Sequence, residues 1–229
     1  MVRPTVLSVA GFDPSGGAGV LADCKVFEYL GVQGQAVVTA LTRQNEREFL
    51  EPRWRSVREI LEDLDTLGRV RRFHFVKIGL IQSAEVLAQI VHWVRAQSPE
   101  AFIVWDPILK ASAGFAFHEK KSRKDFVSVA SYCGLVTPNA AEAEWLGVIP
   151  TSVLIKGGHG DGLESADVLL DYRGNECARF ALPRIAGISK HGTGCMLSAA
   201  VLARMALGDR LETACAFARR FLQQILCSG

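Results

Sequence analysis

Residues 6–30 read VLSVAGFDPSGGAGVLADCKVFEYL, and the order of patterns within them decides the fold. The opening VLSVAG is a near-continuous apolar run, the pattern of a strand covered on both faces. Residues 18–30 then carry apolar side chains at i, i+3 and i+4, the period of a helix. Between the two, Gly11, Gly16, Gly17 and Gly19 supply backbone that can take positive φ and let a ligand approach closely. The turn is neither GxGxxG nor GxxxxGK followed by Ser or Thr, so the dinucleotide and P-loop patterns are both excluded. A glycine turn that only serves strand-to-helix geometry and one that holds a ligand read alike here.

The same alternation continues outward. Strand patterns fall at 5–11, 36–41, 73–78, 102–106, 134–137, 152–156, 167–171 and 178–182, and helical periods at 18–30, 57–67, 84–95, 121–132, 140–146, 195–205 and 211–226. Strands alternating with helices predict an α/β protein with a largely parallel sheet. AVVTAL, HFVKIG, FIVWDP, GLVTPN and VLIKGG read as buried on both faces, whereas the last two strands flank Arg173, Gly174 and Asn175 and read as an antiparallel hairpin at the sheet edge. Ser83 is placed to N-cap a helix, and Gly31 and Gly208 to end one. With no linker, charge block or repeat, one domain over 1–229 is expected.

Composition narrows the classes. Of 229 residues, 49% are hydrophobic and 22% charged, which excludes disordered and low-complexity chains. Lys+Arg number 26 and Asp+Glu 24, a net charge of +2, so neither nucleic acid nor a membrane surface is expected as principal partner. Cys24, Cys133, Cys177, Cys195, Cys215 and Cys227 form no CxxC pair, which argues for reduced thiols rather than a disulfide scaffold or zinc ribbon. The beginning, MVRPTVLSVAGFDP, lacks the apolar length of a secretion signal, and no run suits a membrane helix. A soluble cytoplasmic protein is expected.

In an open parallel sheet, ligands bind beyond the carboxyl ends of the strands. Polar residues and glycines collect there: Gly11 with 13–19, Gln44 and Asn45, Gly79, Asp106 and Pro107, Pro138, Asn139 and Glu142, 157–159, and 191–195. Residues 190–203, KHGTGCMLSAAVLA, bring the N–H groups of Gly192, Thr193, Gly194 and Cys195 to the positive end of a helix, an arrangement suited to an anion and to phosphoryl transfer. Cys195 at that end is expected to have a depressed pKa and to be a thiolate candidate. The alternative is a glycine-rich entry to a buried helix with an inert cysteine. Asn139 and Glu142 have the spacing of a capping box. Lys156 ends a strand, where a buried ammonium calls for an anionic partner such as phosphate. Asp106 before Pro107 either assists a metal or phosphate or only starts a turn. Asp23, in the first turns of its helix, suits a helix N-terminal carboxylate. His159 and His191 lack metal-site spacing and are read as structural.

AGFDPSGGAGVLAD (10–23), VVTALTRQN (37–45), VKIGL (76–80), VWDPIL (104–109), VTPNAAEA (136–143), VLIKGGH (153–159) and HGTGCMLSAA (191–200), in this order, resemble the hydroxymethylpyrimidine/phosphomethylpyrimidine kinases of thiamine biosynthesis, within the ribokinase-like superfamily. The resemblance covers nearly the whole chain. It implies a three-layer α/β/α sandwich and ATP-dependent phosphorylation of 4-amino-5-hydroxymethyl-2-methylpyrimidine, then of its monophosphate. It places Gly11, Asp23 and Gln44 in the pyrimidine pocket, and the carboxamide of Gln44 complements an aminopyrimidine edge. It makes Gly192, Thr193 and Gly194 an anion hole, with Cys195 where most such kinases carry the catalytic Asp of GxGD; there Cys195 either relays the substrate proton or lines the pocket. It assigns Asn139 and Glu142 to Mg²⁺, through water; Lys156, Asn139 and Asp106 are the residues expected at the phosphates. A homodimer is expected.

The chain departs from that pattern in places. Lys110 and Ser112 stand differently from the lysine many relatives carry after DPIL, Leu80 replaces a common Met, and the connection after Leu146 is short. A pyridoxal or pyridoxine kinase of the same Cys-containing subgroup is the alternative enzyme. A catalytically silent pyrimidine-binding sensor is the alternative outside enzymes.

Overall fold

In the computed structural model, the described residues are 3–45, 48–109, 117, 123–157, 164–184 and 191–227. The elements run β1 (Thr5–Phe12), α1 (Gly19–Tyr29), β2 (Gln33–Gln44), β3 (Phe49–Trp54), α2 (Val57–Gly68), β4 (Phe75–Ile78), α3 (Ala84–Gln97), β5 (Phe102–Trp105), α4 (Arg123–Ala130), β6 (Leu135–Val136), α5 (Ala140–Leu146), β7 (Ser152–Ile155), β8 (Glu164–Leu170), β9 (Glu176–Pro183), α6 (Thr193–Ala206) and α7 (Leu211–Cys227). The strands form one 9-stranded sheet in the order β3-β2-β1-β4-β5-β6-β7-β8-β9. From β2 to β7 every pairing is parallel, while β3, β8 and β9 pair antiparallel. The sheet is thus mostly parallel, with antiparallel strands at both ends.

The period-2 geometry of the strands divides their side chains between two cores. Leu7, Val9, Val76, Ile78, Ile103, Trp105, Val136 and Val153 pack with Ile60 and Leu64 of α2, Leu87, Ile90 and Val94 of α3, Phe126 of α4 and Leu146 of α5. Val6, Val104, Leu135 and Leu154 point the other way, onto Val26 and Phe27 of α1, Leu197–Ala203 of α6 and Ala214–Leu222 of α7. This is the expected three-layer α/β/α arrangement. The first core is pinned by Trp105, whose ring stacks on Phe126 at 5.6 Å, and truncating the fully buried Phe126 to Ala would cost about 3–5 kcal/mol.

Helix boundaries follow local chemistry. The Ser-x-x-Glu of Ser56 and Glu59 forms a complete capping box at the start of α2, and Ser83 Oγ accepts the Val86 N–H at the start of α3, as its sequence position predicts. Gly31 (φ 81°) and Gly208 (φ 100°) take the left-handed backbone that closes α1 and α6.

Three differences from the sequence reading have physical causes. β3 carries Pro52 and charged neighbours that mask a strand pattern, yet it is an edge strand, where a missing N–H costs no ladder bond. Strand β2 starts at Gln33 rather than Ala36, and Ala36 and Leu41 are exposed, because this strand lies beside the edge and is covered less than the centre. Phe73 precedes β4 and is buried in the loop that leads into it. The hairpin around 173–175 is as expected: Asp171 Oδ1 accepts the N–H groups of Arg173 and Asn175 at 2.8 and 2.9 Å.

Candidate active site

The carboxyl ends of β1, β4, β5, β6 and β7 meet the N-termini of α1 and α6 in a buried polar centre within an otherwise apolar sheet. Lys77 on β4 is fully buried, and its Nζ donates to both oxygens of Asp23 on α1 at 2.7 and 2.8 Å. Ser8 Oγ on β1 donates to Asp23 Oδ2 at 2.6 Å. Burial opposes the ammonium, but Asp23, with Asp106 near by, outweighs it and holds Lys77 charged, above the ordinary lysine range.

A second ion pair lies beside the first. Asp106, at the end of β5, accepts from Lys156 Nζ at 2.7 Å and from Thr137 Oγ1 at 3.3 Å, and Ser198 Oγ of α6 lies 3.2 Å from its other oxygen. Burial would raise the Asp106 pKa, yet Lys156 and Lys77 together bring it below the usual value. Burial likewise opposes the charge on Lys156, and Asp106 and Glu142 reverse that effect. Lys156 also borders the helix end, since a Cβ added to Gly194 would sit 3.1 Å from its Nζ. Its neighbour Gly157 is clamped through both backbone groups: the N–H donates to Asp167 at 2.9 Å and the carbonyl accepts from Ser165 Oγ at 3.0 Å.

Helix α6 begins at Gly192 with φ 82° and no side-chain cap. Its first N–H groups are therefore not taken by the helix's own residues, and they stand at the positive end of the dipole beside a lysine, which is what an anion requires. The glycine is obligatory for a further reason: a Cβ on Gly192 would run into the carbonyl oxygen of Gly17 in the β1–α1 turn. The same turn approaches itself closely at Gly19, where a Cβ would strike the carbonyl of Gly11.

Cys195 lies in the first turn of α6 and is 6% exposed. The thiolate expectation is corrected here: burial, reinforced by Asp106 and Asp23 and opposed by Lys77, raises its pKa to about 11. The helix end favours a thiolate, but desolvation of the charge is the larger effect, and near neutral pH the thiol keeps its proton.

Asn139 and Glu142 form the predicted capping box at the start of α5: Asn139 Oδ1 accepts the Glu142 N–H at 2.9 Å, and Glu142 Oε2 accepts the Asn139 N–H at 2.8 Å. Glu142 Oε1 also accepts from Leu109 N at 3.3 Å. Burial raises the Glu142 pKa, with Lys156 opposing and Asp106 adding to the rise. Among the described residues, no three His, Cys, Asp or Glu side chains converge to hold a metal. A divalent cation here would take its ligands from phosphate oxygens and water, with Glu142 in its outer shell. The charges fit such an ion: each lysine is already matched by an aspartate, so an incoming polyphosphate needs more positive charge than the side chains supply.

Asp23 differs from a pocket-lining group. It is 0% exposed and its oxygens face Ser8 and Lys77, so any effect on a pyrimidine passes through those partners. Gly11 is buried against Leu80, whose Cδ2 would lie 3.0 Å from an added Cβ, and this close fit limits what can pack there. Gln44 sits at the end of β2, half-buried and outside the charged centre, and no side chain among the described residues occupies its carboxamide. His191 contacts Asp13, with Nε2 3.0 Å from Oδ2. Gly158, His159, Lys110, Ser112 and Lys190 fall outside the described residues. The sequence reading placed Asp13 in the first strand-end cluster without a role of its own, and did not single out Lys77, Ser198 or Thr137. The argument applied to Lys156, that a lysine in a buried strand must have an anionic partner, would have found Lys77.

A mostly parallel sheet with an open helix N-terminus, a buried lysine and paired acids at its strand ends defines a kinase of the ribokinase-like class. In fold it is similar to a pyridoxal kinase from Staphylococcus aureus in complex with AMP-PCP, with a TM-score of 0.86 and 22% identity over 99% of this chain and 89% of that one. It is also similar to a phosphomethylpyrimidine kinase from Clostridium difficile 630, with a TM-score of 0.79 and 26% identity over 97% and 99% of the two chains. The chain belongs to the phosphomethylpyrimidine kinase family, which it matches over residues 13–150 and 146–229. It is 32% identical to a hydroxymethylpyrimidine/phosphomethylpyrimidine kinase of Aquifex aeolicus, over 96% of this chain and 93% of that protein. With a protein of the same description from Rhizobium meliloti the identity is 33%, over 97% and 90%. A thiamine biosynthesis bifunctional protein of Geobacter sulfurreducens is 34% identical over 96% of this chain, which corresponds to 48% of that longer protein.

Proposed function

We propose that the chain uses ATP to phosphorylate 4-amino-5-hydroxymethyl-2-methylpyrimidine on its alcohol, and then phosphorylates the monophosphate to the diphosphate for thiamine biosynthesis. The observation that carries this reading is the start of α6: left-handed Gly192, no side-chain cap, and Lys156 beside Gly194. The substrate hydroxyl oxygen attacks the γ-phosphorus of ATP, the bond to the β–γ bridging oxygen breaks with ADP as leaving group, and the hydroxyl proton passes to water. The N–H groups of Gly192, Thr193, Gly194 and Cys195 and the Lys156 ammonium receive the charge on the transferred group.

Cys195, with its pKa near 11, serves as a neutral wall of the pocket. A loose transition state needs little early deprotonation, so the reaction does not require a thiolate. Gln44 reads the aminopyrimidine edge, and Gly11, closed on one side by Leu80, borders the ring. Asp106 and Asn139 hold the phosphate end through Lys156 and the α5 start. Glu142 and Asn139 would hold Mg²⁺ through water, and the ion would supply charge neutralisation for the phosphates. Residues 1–229 act as one domain, in a cytoplasmic homodimer. Among the described residues no helix is long and apolar enough to cross a membrane.

ADP release with the pyrimidine alcohol, with its monophosphate and with pyridoxal tests this reading. Turnover of both pyrimidines is expected. Absence of turnover with either pyrimidine ends the reading, pyridoxal turnover alone marks a pyridoxal kinase, and pyrimidine binding without ADP release marks a sensor.

A further inference from the structure

The two glycine segments are far apart in sequence, yet one carboxylate ties them together. Asp13, 1% exposed, accepts the Ser15 N–H and Oγ on Oδ1 at 2.9 and 2.8 Å, and the Ala18 N–H on Oδ2 at 2.9 Å. The same Oδ2 lies 3.0 Å from His191 Nε2, the residue just before the left-handed Gly192. The His191 ring packs against the turn, where a Cβ on Gly17 would lie 2.9 Å from its Cδ2. Neither α1 nor α6 has a side-chain cap at its N-cap residue. Among the described residues, the start of α6 is held from outside that helix by the Gly17–Gly192 backbone contact and the Asp13–His191 bond.

Resting on the kinase reading above, we propose that Asp13 and His191 are positioning residues: their bond holds the N-terminus of α6 in its anion-receiving geometry and couples it to the β1–α1 turn. His191 touches neither the transferred group nor the ring; it aims Gly192–Cys195. Its loss is felt where charge develops on the phosphoryl group, and little in pyrimidine affinity, because Gly11 and Gln44 are held by strands β1 and β2. Misplacement of a catalytic group by a fraction of a helical turn costs up to about a hundredfold in rate.

The test compares three variants with wild type by steady-state kinetics on the pyrimidine alcohol and by thermal melting. His191→Ala removes the ring, His191→Phe keeps a ring over Gly17 without the hydrogen bond, and His191→Gln keeps a donor at similar reach. The Ala and Phe variants are expected to lose about 10- to 100-fold in kcat with pyrimidine KM within about threefold of wild type. The Gln variant is expected to recover most of kcat. Should His191→Ala fail to fold, the Phe and Gln pair decides alone. A wild type that turns over neither pyrimidine removes the reading on which the inference rests. An active wild type with kcat unchanged in His191→Phe, a loss confined to KM, or a Gln variant as slow as Phe overturns the inference itself.

Discussion

Three helices on one face of the sheet and two on the other begin in opposite ways. On one face, α2, α3 and α5 are capped by their own Ser56, Ser83 and Asn139. On the other, α1 starts at Ala18 and α6 at Gly192, with no side-chain cap on either. A cap satisfies the free N–H groups of the first turn and stabilises a helix by roughly 1 kcal/mol. The three capped helix ends thus serve stability, whereas the start of α6 keeps its donors for an anion and the start of α1 is held by Asp13, which accepts the Ala18 N–H. Asn139 stands at the boundary, since it closes its helix while its partner Glu142 faces Lys156 and Asp106.

The contrast can be broken most severely at the charges beneath the open ends. Lys77→Met would leave Asp23 buried without its cation, and urea unfolding should show a loss of about 3–5 kcal/mol, largely restored by adding Asp23→Leu. An undiminished unfolding midpoint in the single variant would show that the pair contributes nothing to the fold. Next in size is Gly192→Ala, which forces a Cβ into left-handed backbone against the Gly17 carbonyl. Its kcat should fall by about a hundredfold, comparable with the loss of an oxyanion donor, and wild-type kinetics would rule out the open end as the anion site. On the capped face, Ser83→Ala should cost only about 1 kcal/mol and leave kcat as it is. Chemical denaturation and kinetics on the same preparation read both quantities.

The smallest effect concerns Cys195, where an open helix end and burial oppose each other. Raising its pKa from 9.0 to about 11 lowers the thiolate fraction near neutral pH by about a hundredfold. Peptide-resolved alkylation at pH 7 should therefore label the exposed Cys177 and Cys227 long before Cys195. The sign for stability follows: between pH 9 and 11 the unfolded thiol has released its proton while the folded one retains it, so stability from this group declines as pH rises. Rapid labelling of Cys195 at pH 7 would show that the helix end, not burial, governs the thiol.

The parallel centre of the sheet is legible because buried strands write long apolar runs, and the order of the motifs resembles the family's. The edge is less so. FLEPRW has the composition of a loop, and only its pairing with β2, Thr42 opposite Pro52, makes it a strand. At the site, glycines and the Asn139–Glu142 spacing were readable because their chemistry is local. The Lys77–Asp23 and Asp106–Ser198 contacts join residues distant in sequence, and the burial that reverses the expected Cys195 pKa arises only from tertiary packing. His191 has no metal-site spacing in the sequence, and its contact with Asp13, 178 residues away, arises only in the folded chain.

The strand order also bears on how the chain assembles. β8 and β9 are joined by the tight turn that Asp171 organises, so their pairing is local and can close on the microsecond scale of hairpins. The central strand β1 must wait for β4, with α1, two strands and α2 intervening, before its second neighbour arrives. Non-local parallel pairing of this kind is slow, so the end of the sheet that is last in sequence is a place where structure can form early. Pulse-labelled hydrogen exchange should find β8 and β9 amides protected before those of β1; simultaneous protection would mean that the sheet closes as one cooperative unit.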